Sequence, residues 1–193
     1  MASFELFKHI LAKNEGGYQN LVGDSGNYNS LGQRVGTNFG ISAKFYESII
    51  GRPPSIADMK AITLNYANQL YKIHFWDDIQ GDYLINQSVA NIIADHAVNA
   101  GEYPIGKQVQ LILKNKFGKT LTVDGDIGPQ TANIINSVDQ RVLFDEIKKA
   151  RYQLYVSIGG QFLNTWLNRL NNFDFTAEKK KQSQLCPCCS QPL

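Results

Sequence analysis

Phe4, Phe7, Ile10 and Leu11 recur at helical spacing behind Ser3, a capping type of residue, with Glu5 in the first turn and Gly16-Gly17 as a stop. The spacing predicts a helix over about 4–14. The periodicity then disappears. Residues 16–42 hold seven of the chain's 16 glycines, four asparagines and three serines, so 14 of these 27 positions are turn formers. This predicts a turn-rich lobe that could hold a small β-hairpin. Helical texture resumes after Ser42 and runs to Gly51. Ser55-Ile56-Ala57-Asp58 resembles a capping box, and one apolar stripe follows it through Met59, Ile62, Tyr66, Leu70 and Ile73. Val89, Ile92, Ile93, His96 and Ala100 mark a further helix closing at Gly101. Pro104 suits a first helical position, with Val109, Ile112 and Leu113 turned inward. Asp124-Gly125-Asp126-Ile127-Gly128-Pro129 predicts a tight turn that starts the next helix. A long helix is expected over about 139–158, ended by Gly159-Gly160, and a last one holds Phe162, Trp166 and Leu170. There is no internal repeat and no alternation of strands with helices, so the fold class is mainly α.

At 193 residues the chain is long enough to bury roughly 70% of its unfolded surface without a disulfide or a metal. Its net charge of +2 comes from the tail: residues 176–193 hold Glu178 and Lys179, Lys180 and Lys181, leaving the body with 16 bases and 16 acids. A balanced body disfavours a nucleic-acid binder. No apolar run approaches a membrane span, and no basic region followed by an apolar stretch marks a signal peptide at the N-terminus. Delivery to a target outside the membrane is therefore expected by lysis, through a holin, or by a non-standard export route. Cys186, Cys188 and Cys189 lie in a polar tail expected to be disordered. They lack the second ligand pair of a zinc site, so no metal is expected of them; no organic cofactor is expected either.

Glu15 occupies the predicted C-terminal end of the first helix, the negative end of its dipole, where Lys or Arg would be favoured. A local rule broken beside a glycine-rich lobe is where a functional site is expected. Raising a Glu pKa from ~4.3 to ~6, as a general acid requires, needs about 2.3 kcal/mol. A helix end supplies ~0.3–1 kcal/mol. Partial burial must supply the rest, with Tyr18 and Phe39 as candidate walls. The alternative is a solvated Glu at a frayed end. Asp24 could position a water or stabilise an oxocarbenium-like centre, or could simply close the turn Asp24-Ser25-Gly26. Thr37 and Asn38 could hold a water or a sugar hydroxyl, or satisfy a hairpin.

Glu15-Gly16-Gly17-Tyr18 followed by Gly36-Thr37-Asn38-Phe39-Gly40-Ile41-Ser42 resembles the N-acetylmuramidases of glycoside hydrolase family 108. Asp95-His96-Ala97-Val98-Asn99-Ala100-Gly101, the turn Asp124–Thr131, and Thr165-Trp166-Leu167-Asn168-Arg169 resemble segments of the family's second half, a peptidoglycan-binding region. The likeness covers about 4–173. It implies a lysozyme-like, mainly helical enzyme that cleaves the bond between N-acetylmuramic acid and N-acetylglucosamine with Glu15 as catalytic acid. Glu15, Asp24 and Thr37 also look like the Glu-Asp-Thr order of phage-type lysozymes, although the loop around Asp24 is longer than the family's and lacks its Pro. Tyr18, Asn38, Asp95 and Asn99 are expected to bind the glycan. The expected organisation is a lysozyme-like part over 1–90, a helical peptidoglycan-binding part over 91–175 and the tail over 176–193.

His96 falls on an apolar stripe and reads as a core histidine rather than a base. His74 with Asp77 and Asp78 lacks metal-ligand spacing. Trp76 and Trp166 sit at helical spacing typical of core residues, and Gly and Pro make the Asp124–Thr131 turn a structural feature first. The expected partner is peptidoglycan glycan, met by a monomer with no membrane span. Two rival functions remain open: a lytic transglycosylase, which needs no second acid, and a wall-binding or secretion-assisting module without catalysis.

Overall fold

Side-chain caps open five of the helices among the described residues. The computed structural model describes residues 1–14 and 16–177. Helix α1 (Phe4–Asn14) comes first, followed by the lobe, and then α2 (Ala43–Ile50), α3 (Ile56–Ala61), α4 (Leu64–Tyr71), α5 (Gln87–Ala100), α6 (Glu102–Phe117), α7 (Pro129–Asn136), α8 (Gln140–Ile158) and α9 (Leu163–Asn171). Ser42, Ser55, Thr63, Asn86 and Asp139 each accept a first-turn backbone N–H. At Ser55 the capping box is complete, because Asp58 returns the bond to the Ser55 N–H. Gly51 and Gly118 close α2 and α6 in the left-handed conformation that favours glycine. The mainly helical class expected from the pattern is what the chain adopts.

Three elements differ from the pattern. The single stripe from Met59 to Ile73 is two helices, because Ile62 is extended and Thr63 opens α4 with its own cap. Beyond Tyr71 the chain widens into a π-helical turn, Lys72–Trp76, closed by Asp77 N–H donating to the Lys72 carbonyl at 2.9 Å. The wider turn carries Ile73 out to solvent and Phe75 and Trp76 inward. Finally, α6 begins at Glu102, so Pro104 lies at its third position rather than its first. In the lobe only isolated antiparallel bridges form, Gln19 with Thr37, Tyr28 with Arg34 and Asn38 with Ile41.

Helix α5 runs through the centre. Val89, Ala90, Ile92, Ile93, Ala94 and Ala97 are fully buried, so the helix is enclosed on nearly all sides rather than along one stripe. It packs against α1 and the π-turn, and also against α6 and α8. The division expected between residues 90 and 91 falls inside this helix. On its α1 side, Phe7 stacks on Trp76 at 5.5 Å and Phe4 meets the same indole edge-on at 5.9 Å. Asp82 accepts the Trp76 indole N–H at 2.7 Å and the Lys72 ammonium at 2.9 Å. Of the expected tail, residues 178–193 with the three cysteines lie outside the described residues, while Thr176 donates its N–H to Ser88 Oγ at 2.9 Å and accepts from Asn86 at 3.2 Å.

Gly81 tests this packing. A Cβ there would sit 2.3 Å from Trp76 Cε2, against a ring held by two phenylalanines. Gly81→Ala should destabilise the protein by about 1–3 kcal/mol, the usual cost of overpacking. Thermal or urea unfolding measures it, and an unchanged midpoint would show that the ring can move.

Candidate active site

The lobe after α1 is organised by amide side chains. Gln19 and Thr37 exchange both backbone hydrogen bonds at 2.9 Å, fixing the two arms of the lobe side by side. The close approach at Gly36 depends on its lack of a side chain. With φ +92 it lies in the left-handed region, and a Cβ would fall 2.6 Å from the Tyr18 ring and 2.7 Å from the Gln19 carbonyl. Tyr18 covers this point, donates its hydroxyl to the Val35 carbonyl at 3.0 Å, and carries the Lys60 ammonium 5.0 Å from its ring centre.

Asp24 caps a short 3-10 turn, Ser25–Asn27. Its Oδ1 accepts the Gly26 N–H at 2.9 Å and its Oδ2 accepts the Gln19 amide at 2.9 Å. The turn role expected for Asp24 is thus present, and it leaves further acceptor capacity on both oxygens. Thr37 lies close by. A Cβ built on Gly26 would be 3.2 Å from Asp24 Oδ1 and 3.6 Å from Thr37 Oγ1, so the two oxygens lie close together against Gly26. The Thr37 hydroxyl is buried and has no hydrogen-bond partner.

Asn38, next in sequence, is turned into the protein. It is buried and donates its amide to the Met59 carbonyl at 2.9 Å and the Ile62 carbonyl at 3.1 Å, capping the frayed end of α3. Phe39 adopts φ +46, unusual for a bulky residue, and its carbonyl accepts the Tyr71 hydroxyl at 3.2 Å. Its ring lines a cavity of about 150 Å³ together with His9 and Leu11 of α1 and Ala67, Asn68 and Tyr71 of α4. Glu15, the expected acid, lies outside the described residues.

The other two expected glycan contacts lie elsewhere. Asp95 has no solvent exposure. Its Oδ2 accepts from Arg151 Nη2 at 2.7 Å, and its Oδ1 accepts from Arg169 Nε at 2.9 Å. Arg151 is also fully buried and donates to the Ile92 carbonyl at 3.0 Å and the Tyr155 hydroxyl at 2.7 Å. Asn99 donates to the Asp95 carbonyl, back along α5. Three helices, α5, α8 and α9, therefore meet at one carboxylate. With both its oxygens engaged, that carboxylate is an internal clamp and lines no open groove.

The Asp124–Thr131 turn is likewise held from within. Gln110 of α6 donates to Asp124 Oδ1 at 2.7 Å and to the Asp126 carbonyl at 2.8 Å, and accepts the Gly125 N–H at 2.7 Å. Gly106 permits the contact, since a Cβ there would lie 1.9 Å from the Gly125 carbonyl oxygen. Sequence reasoning did not single out Gln19, Gln110 or Arg151. Each is a lone polar residue whose partners lie in other elements or across a turn, so spacing gives no signal for it.

His96 is buried as expected, with its ring 6.4 Å from that of Tyr155. The Gln108 side chain faces it without forming a well-aligned hydrogen bond. Burial, and after it the Arg151 guanidinium, pushes its pKa down to about 3.

Residues 7–101 match the family model described as glycosyl hydrolase 108, and residues 106–171 match the one described as predicted peptidoglycan domain. The first match takes in the Glu15–Ser42 and Asp95–Gly101 motifs, and the second takes in the Asp124–Thr131 turn and Arg169. The two matched stretches follow one another along the chain. The two matches support a glycoside hydrolase that acts on peptidoglycan and point to action at the cell wall. The solved structure of Brucella abortus SagA is similar, at 25% identity and a TM-score of 0.71 over 88% of this chain and 89% of that one. No curated protein matches the chain significantly. Among the described residues no helix is long and apolar enough to cross a membrane.

Two measurements probe the buried groups. Removing one member of a buried ion pair leaves an uncompensated charge, so Asp95→Asn should cost about 3–5 kcal/mol in urea unfolding. A loss below ~1 kcal/mol, the range of exposed pairs, would show that water reaches the cluster. For His96, the unfolded chain takes up a proton near ~6.5, well above the folded value. Between the two values the unfolded state binds more protons, so stability falls as pH drops through that window. The urea midpoint should fall from pH 7 to pH 4, and His96→Gln should flatten the fall. An equally steep fall in the variant would assign it to other groups.

Proposed function

We propose that the protein is an N-acetylmuramidase that hydrolyses the bond between N-acetylmuramic acid and N-acetylglucosamine in peptidoglycan, with Glu15 as general acid. The observation that carries this reading is the pairing of Gln19 with Thr37. It brings the Asp24 carboxylate and the Thr37 hydroxyl close together against Gly26, in the segment that follows α1. A carboxylate and an unpartnered hydroxyl side by side suit the binding of a water molecule.

In this mechanism Glu15 donates its proton to the glycosidic oxygen as the bond to the sugar C1 breaks. The developing oxocarbenium charge is offset by Asp24, which either orients the attacking water and takes its proton or faces C1 directly. Thr37 holds the water's second hydrogen-bonding position. Tyr18, anchored over Gly36, presents its ring beside Gln19 as a wall for a sugar. Carboxylates and water suffice for this chemistry. The substrate-binding role expected of Asn38, Asp95 and Asn99 is not part of the proposal, because Asn38 and Asp95 are buried and Asn99 bonds back to α5.

Two variants test the assignment on purified sacculi. Glu15→Gln cannot donate the proton, and its turnover should fall by about 10²–10⁴-fold, the range for a lost general acid. Asp24→Asn should fall by about 10²-fold with binding to sacculi unchanged. Mass spectrometry of the wild-type products should show reducing N-acetylmuramic acid ends. A 1,6-anhydro product would make the protein a lytic transglycosylase, and binding without any product would leave a wall-binding module.

A further inference from the structure

We infer that Gln19 is the positioning residue of this site, holding the Asp24 carboxylate and the Thr37 strand in one geometry; the inference rests on the proposed role of Asp24. The two ends of Gln19 do different work. Its backbone N–H and carbonyl pair with Thr37, both at 2.9 Å. Its side-chain Nε2 donates to Asp24 Oδ2 at 2.9 Å. Its Oε1 accepts the Leu21 N–H at 3.0 Å and the amide of fully buried Asn27 at 3.0 Å. Asn27 in turn accepts, at its own carbonyl, the N–H groups of Val35 at 2.8 Å and Gly36 at 3.1 Å, the residues leading into Thr37.

The carboxylate therefore has two fixed donors, one per oxygen. The Gly26 N–H on Oδ1 belongs to Asp24's own turn and moves with it. The Gln19 amide on Oδ2 is the one that ties the turn to the strand bearing Thr37. Without it, the Asp24 turn is joined to the segment leading into Thr37 through the Asn27 carbonyl and the Tyr28–Arg34 bridge, neither of which touches the carboxylate. Displacing a catalytic group by about 1 Å costs on the order of 10²-fold in rate, so the chemistry should depend on this bond more than folding does.

Gln19→Glu separates these roles. The variant keeps an acceptor oxygen for Leu21 and Asn27 and leaves the backbone pairing with Thr37 intact, but it replaces the donor to Asp24 with a second carboxylate oxygen. Gln19→Leu removes all side-chain bonds and serves as the control for folding. Turnover and KM are measured on soluble glycan fragments of peptidoglycan, with melting temperature followed in parallel. Gln19→Glu should lower kcat by about 10–10²-fold while KM changes less than about 3-fold. In an Asp24→Asn background the same change should lower kcat by less than about 2-fold, because the group it positions is already gone.

Three results would overturn the inference. Gln19→Glu could leave kcat unchanged while Asp24→Asn is impaired, so that Asp24 needs no such donor. Gln19→Glu could lower kcat equally in both backgrounds, so that Gln19 acts independently of Asp24. Asp24→Asn could turn over at the wild-type rate, in which case the proposed role of Asp24 fails first and that of Gln19 falls with it.

Discussion

One buried negative charge organises the larger part of the molecule. Asp95 has no contact with solvent, yet it faces Arg151, equally buried, and Arg169. Taking such ions out of water is costly, and the cost is recovered only where the geometry is good and the remaining donors are satisfied. Here α5 supplies the acid, α8 and α9 supply the bases, and the Ile92 carbonyl and Tyr155 hydroxyl take further guanidinium bonds, with Arg151 Nε left unpartnered. The three helices are thereby fixed in rotation as well as in contact, which nonpolar packing alone does loosely. Asp95 lies in the stretch that matches the glycosyl hydrolase 108 model and both arginines lie in the stretch that matches the peptidoglycan model, so the cluster joins the two stretches.

That rigid body supports a lobe built on a different principle. Residues 16–42 have too few apolar side chains for a core of their own and form no sheet ladder. Buried amides replace both. Asn27 ties Gln19 to the strand at Val35 and Gly36; Asn29 bonds Gln33 and the Pro54 carbonyl; Asn38 caps α3. Asn27, Asn29 and Asn38 each give both amide hydrogens to fixed acceptors, which defines one conformation sharply, while Asn27 Oδ1 and the Thr37 hydroxyl are left without a partner. This suits a site that must hold a carboxylate and a hydroxyl close together. It also accounts for the tight steric control at Gly36, where no larger residue fits between Tyr18 and Gln19.

The motifs that carry the family resemblance are used in two ways. The segment from Tyr18 to Ser42 shapes the candidate site. The Asp95–Gly101 segment, the Asp124–Thr131 turn and Arg169 hold helices together instead: Asp95 meets Arg169 across 74 positions, and the Asp124 turn is locked on Gln110 and Gly106. A short polar motif in a chain therefore signals a constraint without saying whether the constraint is chemical or architectural.

Local rules sufficed wherever a helix carried its own cap and a regular stripe. Ser42, Ser55 and Gly51, the α5 stripe closing at Gly101, and the long α8 were all legible for that reason, as was the turn-forming character of the lobe. The sequence alone also marked Glu15, Asp24 and Thr37 as candidates for chemistry and His96 as a core residue. Tertiary structure decided the rest. The break at Ile62 and the π-turn at Lys72–Trp76 follow from where Asn38 and the Trp76 ring must sit, and periodicity carries no trace of either. The burial of Asp95 and Asn38 and the bracing role of Gln19 depend on partners far along the chain or across a turn. A polar side chain has the same spacing whether it faces water or a buried guanidinium, and only the packed fold distinguishes the two.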